Sequence, residues 1–437
     1  MKFSIIPTTA LPEYEGPLCV GSVVIETSVP KELQCKLSNI EHELKTVKLR
    51  MFYPIFPTKE VKPRKDELWL PFNEGIPNIA TGFKWWMIRT CARQFSKTSL
   101  PVYDGTLFQD SQNTKLPVLL FSHGLLGSRN VYSSLCGNIS SYGVVVLALE
   151  HRDQTAIIST VRDPSHPDDK GYLVQYREIK DFYSEDTIAL QKDRLHFRER
   201  EIQLAVKMIR SINEHGVPSL DTAYSSSGDP NVCKRLFESL KGRLNTTKGE
   251  LLLSGHSFGA ATSAFITNSS TRSLDSSSLH QEEYKCVILY DIWMLPVLQL
   301  NIQKIKYPTI MIISYEFQRW ADNYNALENW LFGRKSKSDV DQETSANKLE
   351  IVPTEKPSHV FVLDGTVHAN QSDLPILLPS MVFKLLKGKV KADPYEAVII
   401  NARSSVQFLR ENGVKLQGEN DPDSLKSEVI PGWEKII

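Results

Sequence analysis

The chain has little that would staple it covalently or clamp it with metal. Its six cysteines, at 19, 35, 91, 136, 233 and 286, are scattered and form no Cys-x-x-Cys pair. That spacing argues against a zinc site or a disulfide framework and suits reduced thiols. Charge of one sign is also lacking: Lys plus Arg and Asp plus Glu each number 51 among 437 residues. No overall field therefore draws the chain to nucleic acid or to an anionic membrane, and any lipid contact must be local. There is no run of about 18 apolar residues of the kind that spans a bilayer. The start, Met1 to Gly16, has one basic residue and a brief apolar patch broken by Pro7 and Pro12, too interrupted for a signal peptide. Lys2 stands where N-myristoylation requires glycine. Internal repeats and low-complexity tracts are missing as well. These gaps lead to the expectation of a soluble, cytoplasmic protein with no cofactor and no metal.

Apolar residues come instead in short bursts. At 41% hydrophobic and 23% charged, the composition is that of an ordinary globular protein with ample material for a core. Candidate strands are 47–53, 116–122, 144–149, 251–254, 286–290, 309–314 and 359–363. Most are almost unbroken in apolarity, as strands are when helices cover both their faces. Segment 131–141 fits a crossover helix, and 185–214 carries Leu190, Leu195, Ile202, Ala205, Met208, Ile209 and Ile212 at helical spacing along a charged stretch. Strands alternating with helices predict an α/β fold, a mostly parallel central sheet with helices on both faces. Segments 61–103, 162–180 and 225–245 read as insertions, and the charged run 334–348 as a solvated loop. The expectation is one domain over 1–437 with its core at about 45–400, and an extension at 401–437 whose role the sequence leaves open.

The most informative string is Gly255-His256-Ser257-Phe258-Gly259, directly after the apolar run 251–254. Strand, one-residue elbow and helix succeed one another there, and Ala260 and Ala261 let the helix begin close to its strand. Glycines flank the serine because so tight a turn leaves no room for side chains beside it. A bare G-x-S-x-G arises by chance in many proteins, and the setting is what marks this one as a nucleophile elbow with Ser257 as nucleophile. His256 is adjacent, but neighbours in an elbow point apart, so a packing role is expected for it.

A serine hydroxyl needs a base, and the base needs a carboxylate to hold its tautomer. In an α/β-hydrolase arrangement these follow the serine in the order acid, histidine, on loops beyond later strands. Three histidines come after Ser257. His280 is too early and His359 begins a strand, whereas His368 lies just past the strand 359–363. Asp291 directly follows the strand 286–290 and is the preferred acid; Asp364 competes, although it sits in the same connection as His368 and suits a local turn. For the oxyanion, the amide of Phe258 is one expected donor. The loop His123-Gly124-Leu125-Leu126-Gly127, directly after 116–122, offers the amide of Leu125 as the other. The trio His151-Arg152-Asp153 looks like a charged site but is expected to tie down a strand end.

Assembled, these strings resemble the platelet-activating factor acetylhydrolase family, in the branch holding the secreted plasma enzyme and its intracellular relative. Phe121-Ser122-His123-Gly124-Leu125 with Ser128-Arg129 matches the family's oxyanion segment, and Leu149-Glu150-His151-Arg152-Asp153 its strand-end motif. The elbow, Asp291-Ile292-Trp293-Met294 and Gly365-Thr366-Val367-His368 match the remaining segments in order, over roughly 45–385. The resemblance implies the α/β-hydrolase fold, with Ser257, Asp291 and His368 as nucleophile, acid and base, and Leu125 and Phe258 as oxyanion donors. It also implies calcium-independent hydrolysis of the sn-2 ester of glycerophospholipids bearing short or oxidised acyl chains. Leu126 departs from the pattern, since the family usually has glycine directly after the leucine. A side chain there would narrow the acyl pocket or shift the loop.

Family members take substrate from lipid surfaces through an exposed apolar helix upstream of the oxyanion strand. Residues 83–95 occupy that place, with Trp85, Trp86 and Ile88 as candidates for weak membrane contact. A buried core helix is the other reading of the segment. For the function as a whole, the rivals are a broader carboxylesterase or thioesterase and a catalytically silent lipid-binding protein. The sequence does not indicate an oligomeric state.

Overall fold

Leu116, Val118 and Leu120 feed one apolar cluster while Leu119 and Phe121 feed another, because successive side chains of a strand point to opposite faces. Val145, Leu147 and Leu149 repeat the division against Val146 and Ala148, and Met311 and Ile313 against Ile310 and Ile312. A computed structural model of the chain describes residues 10–55, 67–69, 97–104, 115–162, 171–218, 223–225, 230–268, 282–332, 358–378, 392–416 and 433–435. Its main sheet contains β1 (Cys19–Ser28), β2 (Thr46–Ile55), β3 (Leu116–Ser122), β4 (Val145–Glu150), β5 (Leu251–His256), β6 (Tyr284–Tyr290), β7 (Thr309–Ser314) and β8 (Ser358–Leu363). They are hydrogen-bonded in the order β1-β2-β4-β3-β5-β6-β7-β8. From β4 to β8 every pairing is parallel, while β1 and β2 run antiparallel at the edge.

The candidate strands at 116–122 and 309–314 coincide with β3 and β7, and the other five lie within two residues of an observed strand at each end. Strand β1 is an addition, since Ser22, Glu26 and Thr27 interrupt its apolar pattern. Glu26 is buried there because Arg152 reaches it at 2.7 Å and the Thr46 hydroxyl donates to it at 2.9 Å. An unpaired carboxylate in that place would cost several kcal/mol. Within the segment read as an insertion, Tyr172–Gln175 pairs antiparallel with Ile158–Val161 as a separate hairpin.

Helices cover both faces. On one side lie α1 (Ser133–Ser140) and α6 (Pro394–Glu411); on the other lie α2 (Glu185–His215), α3 (Phe258–Thr267) and α4 (Met294–Gln299), with α5 (Ala321–Phe332) beside α4. Helix α2 is delimited by local chemistry. The Ser184 hydroxyl accepts from Thr187 N–H, Glu185 and Asp186 sit at the positive end of the dipole, and Gly216 at φ 71° closes the last turn. Helix α6 starts on Asp393, whose carboxylate accepts from the amides of Tyr395 and Glu396, and it runs through residue 400. Its Ser405 hydroxyl meets the Tyr290 hydroxyl at 2.5 Å, at the end of β6. Among the described residues no helix is long and apolar enough to cross a membrane. The carboxyl ends of β3, β5, β6, β7 and β8 therefore open onto one region, where ligands bind in open α/β sheets.

Candidate active site

Ser257 stands between β5 and α3 at φ 57°, ψ −116°, backbone that a non-glycine residue adopts only when its surroundings hold it. They do so here: Ser257 N–H donates to Tyr290 O at 2.9 Å, and its carbonyl accepts from Ala260 and Ala261, each at 3.1 Å. A Cβ at Gly259 would lie 2.0 Å from Ser122 O, and one at Gly255 2.2 Å from Gly259 O, so each flanking glycine is sterically required.

Asp291 caps the end of β6 at φ 43° and is wholly buried. Its Oδ1 accepts from Ser314 N–H at 2.6 Å, and its Oδ2 accepts from the Ser314 hydroxyl at 2.7 Å. The same Oδ2 lies 2.9 Å from His368 Nδ1. Burial pushes the Asp291 carboxyl up to about 6, against the pull of His256 and of the Ser314 bonds. The His368 ring stacks on Phe317, with centroids 4.2 Å apart and planes 7° apart, and lies 4.3 Å from the ring of His256. Its backbone N–H donates to Glu316 Oε2 at 2.7 Å. Its side chain remains 27% exposed, so it is reachable from solvent.

The loop after β3 packs against this elbow: a Cβ at Gly124 would come within 3.1 Å of Ser257 Cβ. Leu126 N–H donates to Thr155 O at 2.8 Å and Gly127 N–H to Gly124 O at 3.2 Å. Among the described residues, the amides of Leu125 and Phe258 have no protein acceptor. Leu126 adopts φ 58°, the left-handed region that glycine would enter freely. Gly124 N–H donates to the Tyr132 hydroxyl at 3.2 Å, so the hydroxyl proton is directed to His256 Nδ1 at 2.8 Å. Burial, and then the neighbouring His368, hold His256 well below the ordinary imidazole value. It is a neutral packing partner carrying its proton on Nε2. The ligand atoms of His256, Asp291 and His368 lie within 4.8 Å of one another, and two of them, His368 Nδ1 and Asp291 Oδ2, are paired with each other at 2.9 Å.

The geometry thus pairs Asp291 with His368, sets the His368 ring 4.3 Å from that of His256, the residue before Ser257, and packs the loop that carries Leu125 against the elbow that carries Phe258. His359 begins β8, at the opposite end from His368, and Asp364 is exposed. His151, Arg152 and Asp153 are buried and bonded to Glu201, Glu26 and Arg198 respectively. His280, Trp85, Trp86 and Ile88 lie outside the described residues. Ser314, Glu316, Phe317 and Tyr132 were not singled out from sequence. The strand-end position of Ser314, the same signal that selected Asp291, was available for the first three.

A parallel sheet in this order, a strained serine on a strand–helix elbow and a buried Asp–His pair at the strand ends define an α/β-hydrolase. Among solved structures, the ferulic acid esterase from Streptomyces cinnamoneus shares the fold, with TM-score 0.55 at 12% identity, covering 98% of this chain and 99% of that one. The sequence profile of the family described as platelet-activating factor acetylhydrolase, isoform II, matches residues 4–429. A Schizosaccharomyces pombe protein named "Putative phospholipase A2" is 60% identical over 428 residues, 98% of either chain. The Gallus gallus platelet-activating factor acetylhydrolase is 25% identical over 378 residues, 83% of this chain and 78% of its own. The chain belongs to the platelet-activating factor acetylhydrolase isoform II family and is a serine ester hydrolase.

Proposed function

We propose that the chain hydrolyses the sn-2 ester of glycerophospholipids without calcium, preferring short or oxidised acyl chains. The observation that carries this reading is the 2.9 Å Asp291–His368 pair beside the elbow of Ser257. His368 takes the proton of Ser257 as the hydroxyl attacks the acyl carbon. Asp291 fixes the Nδ1–H tautomer and balances the imidazolium. The tetrahedral oxyanion rests on the amides of Leu125 and Phe258, which supply the charge stabilisation that a metal supplies in other hydrolases. Lyso-phospholipid leaves with the proton from His368, and water activated by the same histidine releases the acid. The names of the fission-yeast and avian relatives support the phospholipid substrate. Weak, reversible contact with a lipid surface and residence in the cytoplasm belong to the same reading. The machinery specifies acyl transfer rather than the leaving group, so a broader carboxylesterase or thioesterase is the alternative to test.

Ser257→Ala should lower kcat on the order of 10⁶-fold while the protein stays folded, as loss of the serine does in other triads. The measurement is product release from acetylated, oxidised and long-chain phospholipids beside simple nitrophenyl esters, with fluorophosphonate labelling of Ser257. Wild-type turnover in the alanine variant would end the assignment. Equal rates on all the esters would leave only the broader esterase, and an unlabelled wild type would point to a silent lipid binder.

A further inference from the structure

Helix α2 buries a polar face as well as its apolar one. Arg194, Arg198 and Glu201 follow at helical spacing, all inaccessible to solvent, and they point at the ends of β3 and β4. The Arg198 guanidinium donates through Nε to Asp153 Oδ2 at 2.7 Å and through Nη1 to the carbonyl of His123 at 2.7 Å. It also donates to the hydroxyls of Ser122 and Thr155 and lies 4.7 Å over the ring of Phe258. Arg194 donates to the carbonyls of Asp153 and Gln154. Glu201 meets His151 Nδ1 at 2.5 Å, and His151 Nε2 meets the Ser122 hydroxyl at 2.8 Å.

These bonds converge on one peptide. His151 N–H donates to His123 Nε2 at 3.1 Å, which leaves the His123 proton on Nδ1, 2.8 Å from Gly124 O. Burial, and then Arg198 nearby, lower the His123 imidazole to about 4, so the ring is neutral near pH 7. Gly124 O therefore accepts from both His123 Nδ1–H and Gly127 N–H. In a trans peptide the C=O and N–H point in opposite directions. Holding Gly124 O on one side fixes the direction of Leu125 N–H on the other. On the far side of the loop, Thr155 O holds Leu126 N–H, and the Thr155 side chain is anchored by Asp153 and Arg198.

We propose that Arg198 is a positioning residue for the oxyanion site, setting the aim of the Leu125 amide through His123 and Thr155 while its guanidinium packs on the ring of Phe258, whose amide is the other donor. The proposal rests on the catalytic reading above. A planar, five-donor guanidinium can hold a carboxylate, a carbonyl and two hydroxyls at once, whereas a lysine ammonium cannot span them. A displacement of about 1 Å in a preorganised site costs on the order of a hundredfold in rate.

Arg198→Lys keeps the charge opposite Asp153, and Thr155→Val keeps both charges while removing one anchor. Rates are expressed per site titrated to completion with fluorophosphonate, so that misfolded protein does not count. Arg198→Lys should lose about a hundredfold in kcat, and Thr155→Val several-fold, on a short nitrophenyl ester with KM little changed. Affinity for a trifluoromethyl ketone, which presents an oxyanion, should fall in parallel. A purely supporting role would lower the melting temperature and the titrated fraction only. Per-site kcat and ketone affinity within twofold of wild type in both variants would overturn the proposal. If the wild type itself fails to label at Ser257, the catalytic reading falls first and this proposal with it.

Discussion

His368 lies between the rings of Phe317 and His256 with part of its side chain in solvent, whereas His123 is sealed among Arg198, His151 and its own loop. In the proposed mechanism the first imidazole gains and loses a proton in each cycle, so charged neighbours on every side would pin one state. Stacking orients it without fixing its charge. The second serves a peptide whose value lies in not moving, and buried charge suits that task because each group is costly to leave unpaired. The proposed site is thus held by ring contacts and one carboxylate bond to the imidazole where protons would pass, and by a dense set of buried charges where the oxyanion would form.

The comparison breaks most visibly at Asp291, the carboxylate bonded to the His368 ring. Asp291→Asn should lower kcat about 10⁴-fold by favouring the wrong histidine tautomer. Its effect on stability should run the other way. The folded chain holds the Asp291 proton up to about pH 6, above the ordinary 3.8, so it binds that proton more tightly than the unfolded chain. The group's contribution is therefore greatest below the unfolded value and is lost as pH rises through about 6. Thermal unfolding should show the asparagine variant gaining on wild type at mildly alkaline pH and losing that gain near pH 4. A variant equally destabilised at both would mean that the Ser314 and His368 bonds outweigh desolvation.

Phe317→Ala sharpens the contrast at intermediate size. Removing a stacked ring forfeits about 0.5–1.5 kcal/mol of orientation, or about tenfold in kcat, and Phe317→Tyr should restore most of it. A change in KM alone would assign the ring to substrate binding instead. The smallest effect belongs to Leu126→Gly in the loop after β3. Relief of the left-handed backbone is worth about 1 kcal/mol, partly offset by the greater freedom of an unfolded glycine. Calorimetry should find the melting temperature unchanged or raised by about 1–2 °C. A clear loss would show that the leucine side chain packs against something the backbone strain conceals.

Strand periodicity and chain order carried the sequence reading a long way. Continuous apolar runs marked β3 and β7 end to end, and strand-end logic selected Asp291 and His368, which lie 2.9 Å apart. What escaped depends on distant partners. Strand β1 was hidden because Glu26 is tolerated through distant partners, above all Arg152, 126 residues away. Helix α6 keeps an apolar face of Val398, Ala402, Phe408 and Leu409 whose destination, α1 and β7, is not written locally. Arg198 lies in the charged stretch 185–214. Nothing in its neighbours announces that Asp153 and His123 await it at the ends of β4 and β3.

Ser122, His151 and Glu201 are linked end to end at 2.8 and 2.5 Å, in the same serine–imidazole–carboxylate sequence that hydrolases use. A search by shape alone would find two catalytic centres in this chain. Only one of them is open to a visiting molecule, since the other has no accessible surface at its serine. Under the proposed mechanism access decides which hydroxyl becomes a reagent, and the concealed trio serves as scaffolding.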